Sequence, residues 1–172
     1  VVWIVADATS DGSESGTSFR QALRFMEIGF LLHDTMIYET DKPPLTHNRY
    51  EQSFEYMFCF AKGKPSTFNA IKRKATCAGH LRAGKFVHTA DAEYKYANTP
   101  GRTGDAVMLR NVWYVPTGGS KETKGHTAAF PEALVRDHIL SWSNEGDTVL
   151  DCFAGTFTTC KQARLLGRRS IG

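Results

Sequence analysis

The 172 residues contain no run of 18 apolar residues, so a membrane-spanning helix is not expected. They open without the basic lead and apolar core of a secretory signal: Val1 to Ala6 is apolar but too short. The four cysteines (Cys59, Cys77, Cys152 and Cys160) form no C-x-x-C pair, which argues against structural zinc and reads as reduced cytosolic thiols. No metal site is expected. A phosphate loop of the G-x-x-x-x-G-K-[ST] type is excluded, because no Lys follows a Gly at that spacing. There are no internal repeats, and a net charge of +3 is too weak by itself to imply nucleic acid. What is present is an ordinary single-domain length with 41% hydrophobic residues, enough for a core.

The charge is unevenly spread. From Lys62 to Lys85 the chain carries Lys62, Lys64, Lys72, Arg73, Lys74, His80, Arg82 and Lys85 and no acid. This is either a solvated face or a phosphate-contacting segment, for which Lys72, Arg73, Lys74, Arg82 and Lys85 are the candidates.

Periodicity gives an α/β reading. Residues 1–6 read as a short buried strand, and residues 8–17 as a loop. Residues 18–28 read as a helix with Phe19, Leu23, Met26 and Ile28 on one apolar side, stopped at Gly29. Two strands follow, at 30–39 and 53–61, separated by a polar loop with Pro43 and Pro44. Trp3, Tyr56 and Phe58 read as core rather than base-stacking residues, and Glu55 as structurally hydrogen-bonded rather than catalytic. Residues 64–110 are polar, basic and Gly-rich without a clear period, and read as irregular. A short strand at 111–115 precedes a helix opened by Pro131, with Phe130, Leu134, Ile139 and Trp142 on its apolar face. Thr148 to Asp151 read as a buried strand. A small-residue loop (152–157) and a helix over about 157–166 come next. Residues 1–6 and 148–151 are expected in one sheet, their C-terminal ends facing one crevice. Both ends of the chain look cut, the first inside an apolar run and the last inside a strand.

The most informative stretch is Gly146 to Gly172, GDTVLDCFAGTFTTCKQARLLGRRSIG. Ligands of open α/β sheets bind at the C-terminal ends of strands, and a Gly there lets the backbone approach them. A helix start offers free N–H groups and a positive dipole to a carboxylate or phosphate. The residues alone therefore point to a nucleotide-like or amino-acid-like cofactor, or else to a plain strand-to-helix turn.

The stretch 126–172 resembles the cofactor half of the adenine-N6/cytosine-N4 DNA methyltransferases. That family carries H-P-x-x-F/K-P, a helix, G-D-x-V-L-D-P-F-x-G-S-G-T-T, and a helix ending in L-G-R-x-x-I-G-I-E. His126, Phe130 and Pro131 match the first block. Gly146, Asp147, Val149, Leu150, Asp151, Phe153, Gly155, Thr158 and Thr159 match the second, and Leu166, Gly167, Arg168, Ile171 and Gly172 the third. Asn48–Asn69 resembles the strand and turn beyond the family's catalytic motif. The order (catalytic side, recognition region, cofactor loop) is that of the β class.

The resemblance implies a Rossmann-like S-adenosylmethionine-dependent methyltransferase sheet with an inserted irregular recognition region. It divides the chain into a catalytic-side part (1–63), a target-recognition region (64–125) and a cofactor-binding part (126–172). The cofactor would be S-adenosyl-L-methionine, held by His126, Phe130, Pro131, Asp151, Phe153, Gly155, Thr156, Thr158 and Thr159. On sequence alone His126 reads nearly as well as a loop or cap histidine. The partner would be double-stranded DNA, and the setting the cytoplasm of a prokaryote or phage-infected cell; the oligomeric state is open. The family's reaction moves a methyl group to an exocyclic amino nitrogen of a flipped-out base, whose lone pair the catalytic D-P-P-Y motif directs toward the donor.

This chain departs from the pattern. Cys152, Thr156 and Phe157 replace the family's Pro, Ser and second loop Gly. Phe157 is expected to weaken or block the cofactor, adding strain if the position needs a positive φ. No D-P-P or N-P-P string occurs, so no catalytic residue is assigned; the motif is expected before Val1, which makes the chain a fragment. The alternative reading is a nonenzymatic nucleic-acid-binding domain with a decayed cofactor site.

Overall fold

The computed structural model describes residues 1–41, 50–76, 81–82, 85–88, 94–97, 101–102, 104–116 and 130–172, and for 81–102 the backbone alone. The chain divides into two compact units, Val1–Asn69 with Arg110–Gly172, and Ala70–Leu109.

The first unit begins with strand β1 (Val2–Val5), a two-rung hairpin of β2 (Thr9–Ser10) and β3 (Ser13–Glu14), helix α1 (Thr17–Glu27), β4 (Leu31–Glu39) and β5 (Phe54–Ala61). Aromatic residues alternate along β5 (Phe54, Tyr56, Phe58 and Phe60), as suits a central strand. It pairs antiparallel with β1 on one side (Trp3↔Phe58) and with β4 on the other (Met36↔Met57). The β4 pairing carries an irregularity between Leu32 and Asp34.

Neighbouring residues of a strand point to opposite faces. Phe58 and Phe60 of β5 cluster with Ala22 of α1, with Trp3, Val5, Phe25, Phe30 and Tyr56 packed around them. Trp3, Tyr56 and Phe58 thus serve the core. Met57 and Cys59 look the other way, toward Met36, whose sulfur lies 3.6 Å from the Cys59 thiol.

The expected apolar side of α1 is not its buried side. Ser18 and Ala22 are buried, whereas Phe19, Leu23, Met26 and Ile28 are 46–59% exposed. The sheet already presents the rings of Tyr56, Phe58 and Phe60, so the helix approaches through its small residues and fills the gap with Phe25, stacked on Phe60 at 4.6 Å. The N-terminus of α1 is satisfied from β1's far end: Asp7 accepts hydrogen bonds from the backbone N–H and hydroxyl of Ser18 and the hydroxyl of Ser15. These bonds hold the Asp7 carboxyl below the usual carboxylate range.

The second unit holds β6 (Lys72–Lys74), β7 (Leu81–Arg82), β8 (Lys85–His88), β9 (Tyr94–Ala97), β10 (Gly101–Arg102) and β11 (Ala106–Met108). They pair antiparallel as β6 with β11, β7 with β10 and β8 with β9. The stretch expected to be irregular is therefore a set of short two-stranded ladders in its described part. Strands of two to four residues leave no run long enough for an alternating pattern to register in the sequence.

The chain returns to the first unit with β12 (Val112–Tyr114), parallel to β4, completing a sheet of order β1-β5-β4-β12. Helix α2 (Glu132–Trp142), β13 (Thr148–Leu150), α3 (Thr158–Leu165) and β14 (Arg169–Ile171) follow. Pro131 stands just before α2 as its N-cap, with φ −58°. The buried stripe of α2 is Leu134, Val135, His138 and Ile139; Phe130, assigned from sequence to this face, is 40% exposed. Through His138, whose Nε2 is 3.1 Å from the Met57 sulfur, α2 covers the sheet face opposite α1. Burial there holds the His138 pKa down at about 4.

β13 and β14 form a separate parallel pair. Residues 1–6 and 148–151 are thus not hydrogen-bonded into one sheet as expected, and β13 is not buried: Leu150 is 67% exposed. Among the described residues, β1 and β13 each carry a partner on one side only. No helix among the described residues is long and apolar enough to cross a membrane.

Candidate cofactor site

The site is built at the C-terminal end of β13. Asp151 donates its backbone N–H to Ile171 O at 2.9 Å, so the ladder continues to the start of the loop. Its Oδ1 accepts the N–H of Phe153 at 3.0 Å, a side-chain turn that starts the reversal. Gly155 has φ 49°, and the N–H of Phe157 closes the loop onto Ala154 O at 2.7 Å. The far end of β14 presses against this loop: a Cβ on Gly172 would lie 2.7 Å from Cys160 Sγ and 2.8 Å from Ala154 Cβ, so a side chain would collide.

Phe157 is the N-cap of α3, in the left-handed conformation (φ 58°, ψ 24°) and 54% exposed. The position where the family has Gly does need a positive φ. The consequence differs from the sequence expectation in one respect. The strain is already present in the free protein, so its cost falls on folding and cancels from cofactor affinity; only the volume of the ring bears on binding.

The first rung of α3 runs from Lys161 N–H to Phe157 O at 2.9 Å. The amides of Thr158, Thr159 and Cys160 precede it and have no acceptor within the helix, and no Phe157 side-chain bond caps this end. Free amides with a favourable dipole suit an anionic group. Thr156 and Thr158 add hydroxyls, 3.0 Å apart. Phe153, 75% exposed, turns its ring edge to Trp3 of β1 (centroids 5.8 Å apart). Trp3 in turn contacts Phe25 at 5.2 Å and donates to Gln21 Oε1 at 2.9 Å.

The Phe130–Pro131 block of site residues is drawn to the same helix. Glu132 directly follows Phe130 and Pro131. It accepts from Lys161 Nζ through Oε1 and from Gln162 Nε2 through Oε2, both at 3.0 Å. Beneath, Val135 and Ile139 of α2 pack on Ala163 of α3. The fold thus associates Phe130 and Pro131 with the helix that begins with Thr158 and Thr159 and follows Asp151, Phe153, Gly155 and Thr156. His126 lies outside the described residues. Lys72, Arg73 and Lys74 are exposed on β6; Arg82 and Lys85 fall in β7 and β8, their side chains outside the description. Sequence reasoning did not find Glu132, Lys161 or Asp7. Their partners lie 29, 29 and 11 residues away, and no local spacing marks such pairs.

Comparison with known proteins fits this geometry. The orphan methyltransferase M.BamHII of Bacillus amyloliquefaciens is 46% identical over 186 aligned positions, covering all of this chain and 68% of that protein. Among solved structures, the PvuII DNA methyltransferase (cytosine-N4-specific) superposes with a TM-score of 0.68 at 16% identity, over 99% of this chain and 57% of that one. The M1.HpyAVI–SAM complex does so with a TM-score of 0.62 at 22% identity, over 99% of this chain and 66% of that one. The chain therefore spans between 57% and 68% of the length of these proteins. A family profile described as DNA methylase matches residues 1–172 throughout, and the chain belongs to that family.

Proposed function

We propose that the chain forms the cofactor-binding side of an S-adenosylmethionine-dependent DNA methyltransferase acting on an exocyclic amino group of adenine or cytosine in double-stranded DNA. The observation that carries this is the loop from Asp151 to Phe157, with its positive-φ turn, leading into an uncapped helix start beside the Phe130–Pro131 block. Bound there, S-adenosylmethionine supplies a methyl group activated by its sulfonium. The chain's own residues do the holding. The first amides of α3 and the hydroxyls of Thr156 and Thr158 offer hydrogen bonds, Gly155 permits close backbone approach, and Asp151 fixes the loop through Phe153. Phe130, Pro131, Phe153 and Thr159 supply walls, and His126 is the further cofactor residue that the family resemblance implies. The ladders of the Ala70–Leu109 unit form the recognition region within 64–125, and Lys72, Arg73, Lys74, Arg82 and Lys85 contact phosphates.

The D-P-P-Y-type motif does not occur in these 172 residues, so the chain by itself transfers no methyl group. The test pairs calorimetry with S-adenosylmethionine and an assay for labelled methyl entering duplex DNA. We expect Phe157→Gly to bind the cofactor measurably while neither it nor the parent labels DNA. Labelling by the parent chain would refute the assignment of catalysis to a motif it lacks. One observation favours a second reading, a nucleic-acid-binding domain with a decayed cofactor site: a bulky residue stands in the left-handed loop position. That reading holds if Phe157→Gly shows no cofactor binding while DNA binding persists.

A further inference from the structure

We propose that Glu132 is a positioning residue of the cofactor site, clamping the Phe130–Pro131 wall to the helix that carries the loop. This rests on the reading of that site given above. The apolar contact of Val135 and Ile139 with Ala163 is non-directional and leaves α2 free to slide or roll on α3. The Glu132 carboxylate removes that freedom, because its two oxygens take two different donors on consecutive residues of α3 at 3.0 Å each.

Both ends of the clamp connect directly to the site. On one side Glu132 adjoins Pro131, whose ring fixes its φ and whose carbonyl accepts the N–H groups of Leu134 and Val135 at 3.1 and 3.3 Å. On the other, Lys161 binds the loop through its own backbone, donating to Phe157 O at 2.9 Å. One residue therefore holds the last loop carbonyl by its amide and Glu132 by its ammonium. Gln162 is 6% exposed, so removing Glu132 leaves a buried amide to be satisfied elsewhere. Glu132 also sits in the first turn of α2, where a negative charge is favoured.

The test compares the parent chain with Glu132→Ala, Glu132→Gln and Lys161→Ala in two measurements. One is amide hydrogen exchange without cofactor; the other is S-adenosylmethionine affinity by calorimetry. We expect Glu132→Ala to speed exchange at the Lys161 amide at least five-fold and leave the Phe58 and Phe60 amides of β5 unchanged. It should weaken cofactor binding about three- to ten-fold. Glu132→Gln, which keeps one acceptor, should fall between, and Lys161→Ala should show part of the same loss. Unchanged exchange at Lys161 together with unchanged affinity overturns the proposal. So does a uniform acceleration that includes β5, which marks a merely global stability role. Where the parent binds too weakly to titrate, affinity is read with the same substitutions in the Phe157→Gly background; absence of cofactor binding there too counts against the cofactor reading of the site, and the exchange result then decides the clamp by itself.

Discussion

Replacing Phe157 by Gly and by Ala separates two effects that a single substitution confounds. Both remove the ring, which is 54% exposed, so both lose the same partial burial. With about 200 Å² for a Phe and 25 cal/mol per Å², that loss is at most roughly 2 kcal/mol in either variant. The variants differ at the backbone, held at φ 58°. Ala keeps a Cβ that costs about 1–2 kcal/mol in the left-handed region, whereas Gly has none but loses about 0.5–1 kcal/mol more chain entropy on folding. The Gly variant should therefore be about 0.5–1 kcal/mol more stable than the Ala variant, a difference of about 1–4 °C in Tm for a chain of this size. Cofactor affinity should behave differently. The strain is common to free and bound states, so Gly and Ala should tighten S-adenosylmethionine binding equally, about ten-fold or 1.4 kcal/mol each if the ring obstructs the loop. Differential scanning calorimetry and titration calorimetry on the three proteins provide the measurements. An Ala variant at least as stable as the Gly variant would refute the strain argument, and low-micromolar binding by the parent would refute the obstruction.

Three further outcomes are expected. Asp7→Ala should cost about 1–2 kcal/mol at neutral pH by uncapping α1. Because the folded-state pKa of Asp7 is lowered, its contribution is present above the unfolded value near 4 and fades as pH falls through the folded one, so the Tm gap between parent and variant should close in strong acid. His138 is the opposite type of group: with a folded pKa of about 4 against 6.5 unfolded, the unfolded chain binds the extra proton between those values. Stability should therefore fall by about 3 kcal/mol as pH drops through that window, and His138→Leu should flatten that part of a Tm-against-pH curve. Changing Lys72, Arg73 and Lys74 together to Ala should weaken binding to unrelated duplexes and flatten the salt dependence of log K by about 2–3, and unchanged affinity would mean these side chains are only a solvated face.

The candidate cofactor loop is legible because it is local. A short β-branched strand, a Gly-bearing turn and a helix occupy consecutive residues from Thr148 to Leu165, and each is set by preferences acting over a few positions. The same locality makes the Phe157 departure visible in the sequence, where the left-handed conformation is not. The Ala70–Leu109 ladders were not legible, since strands of two to four residues show no period.

By itself the sequence determined the longer helices and strands of the first unit (though not the β2–β3 hairpin, where it read a loop), where the strand-to-helix turn lies, and which family residues are kept or replaced there. Only the tertiary structure decided which side of α1 is buried, because the rings of β5 left room for Ser18 and Ala22 rather than for Phe19 and Leu23. It alone decided that β1 and β13 end their respective sheets, that Asp7 caps a helix beginning ten residues later, and that Glu132 meets Lys161 and Gln162. Each of these is a choice among several partners of similar chemistry. It is made when packing and directional hydrogen bonds close across residues distant in the chain, where no local preference reaches.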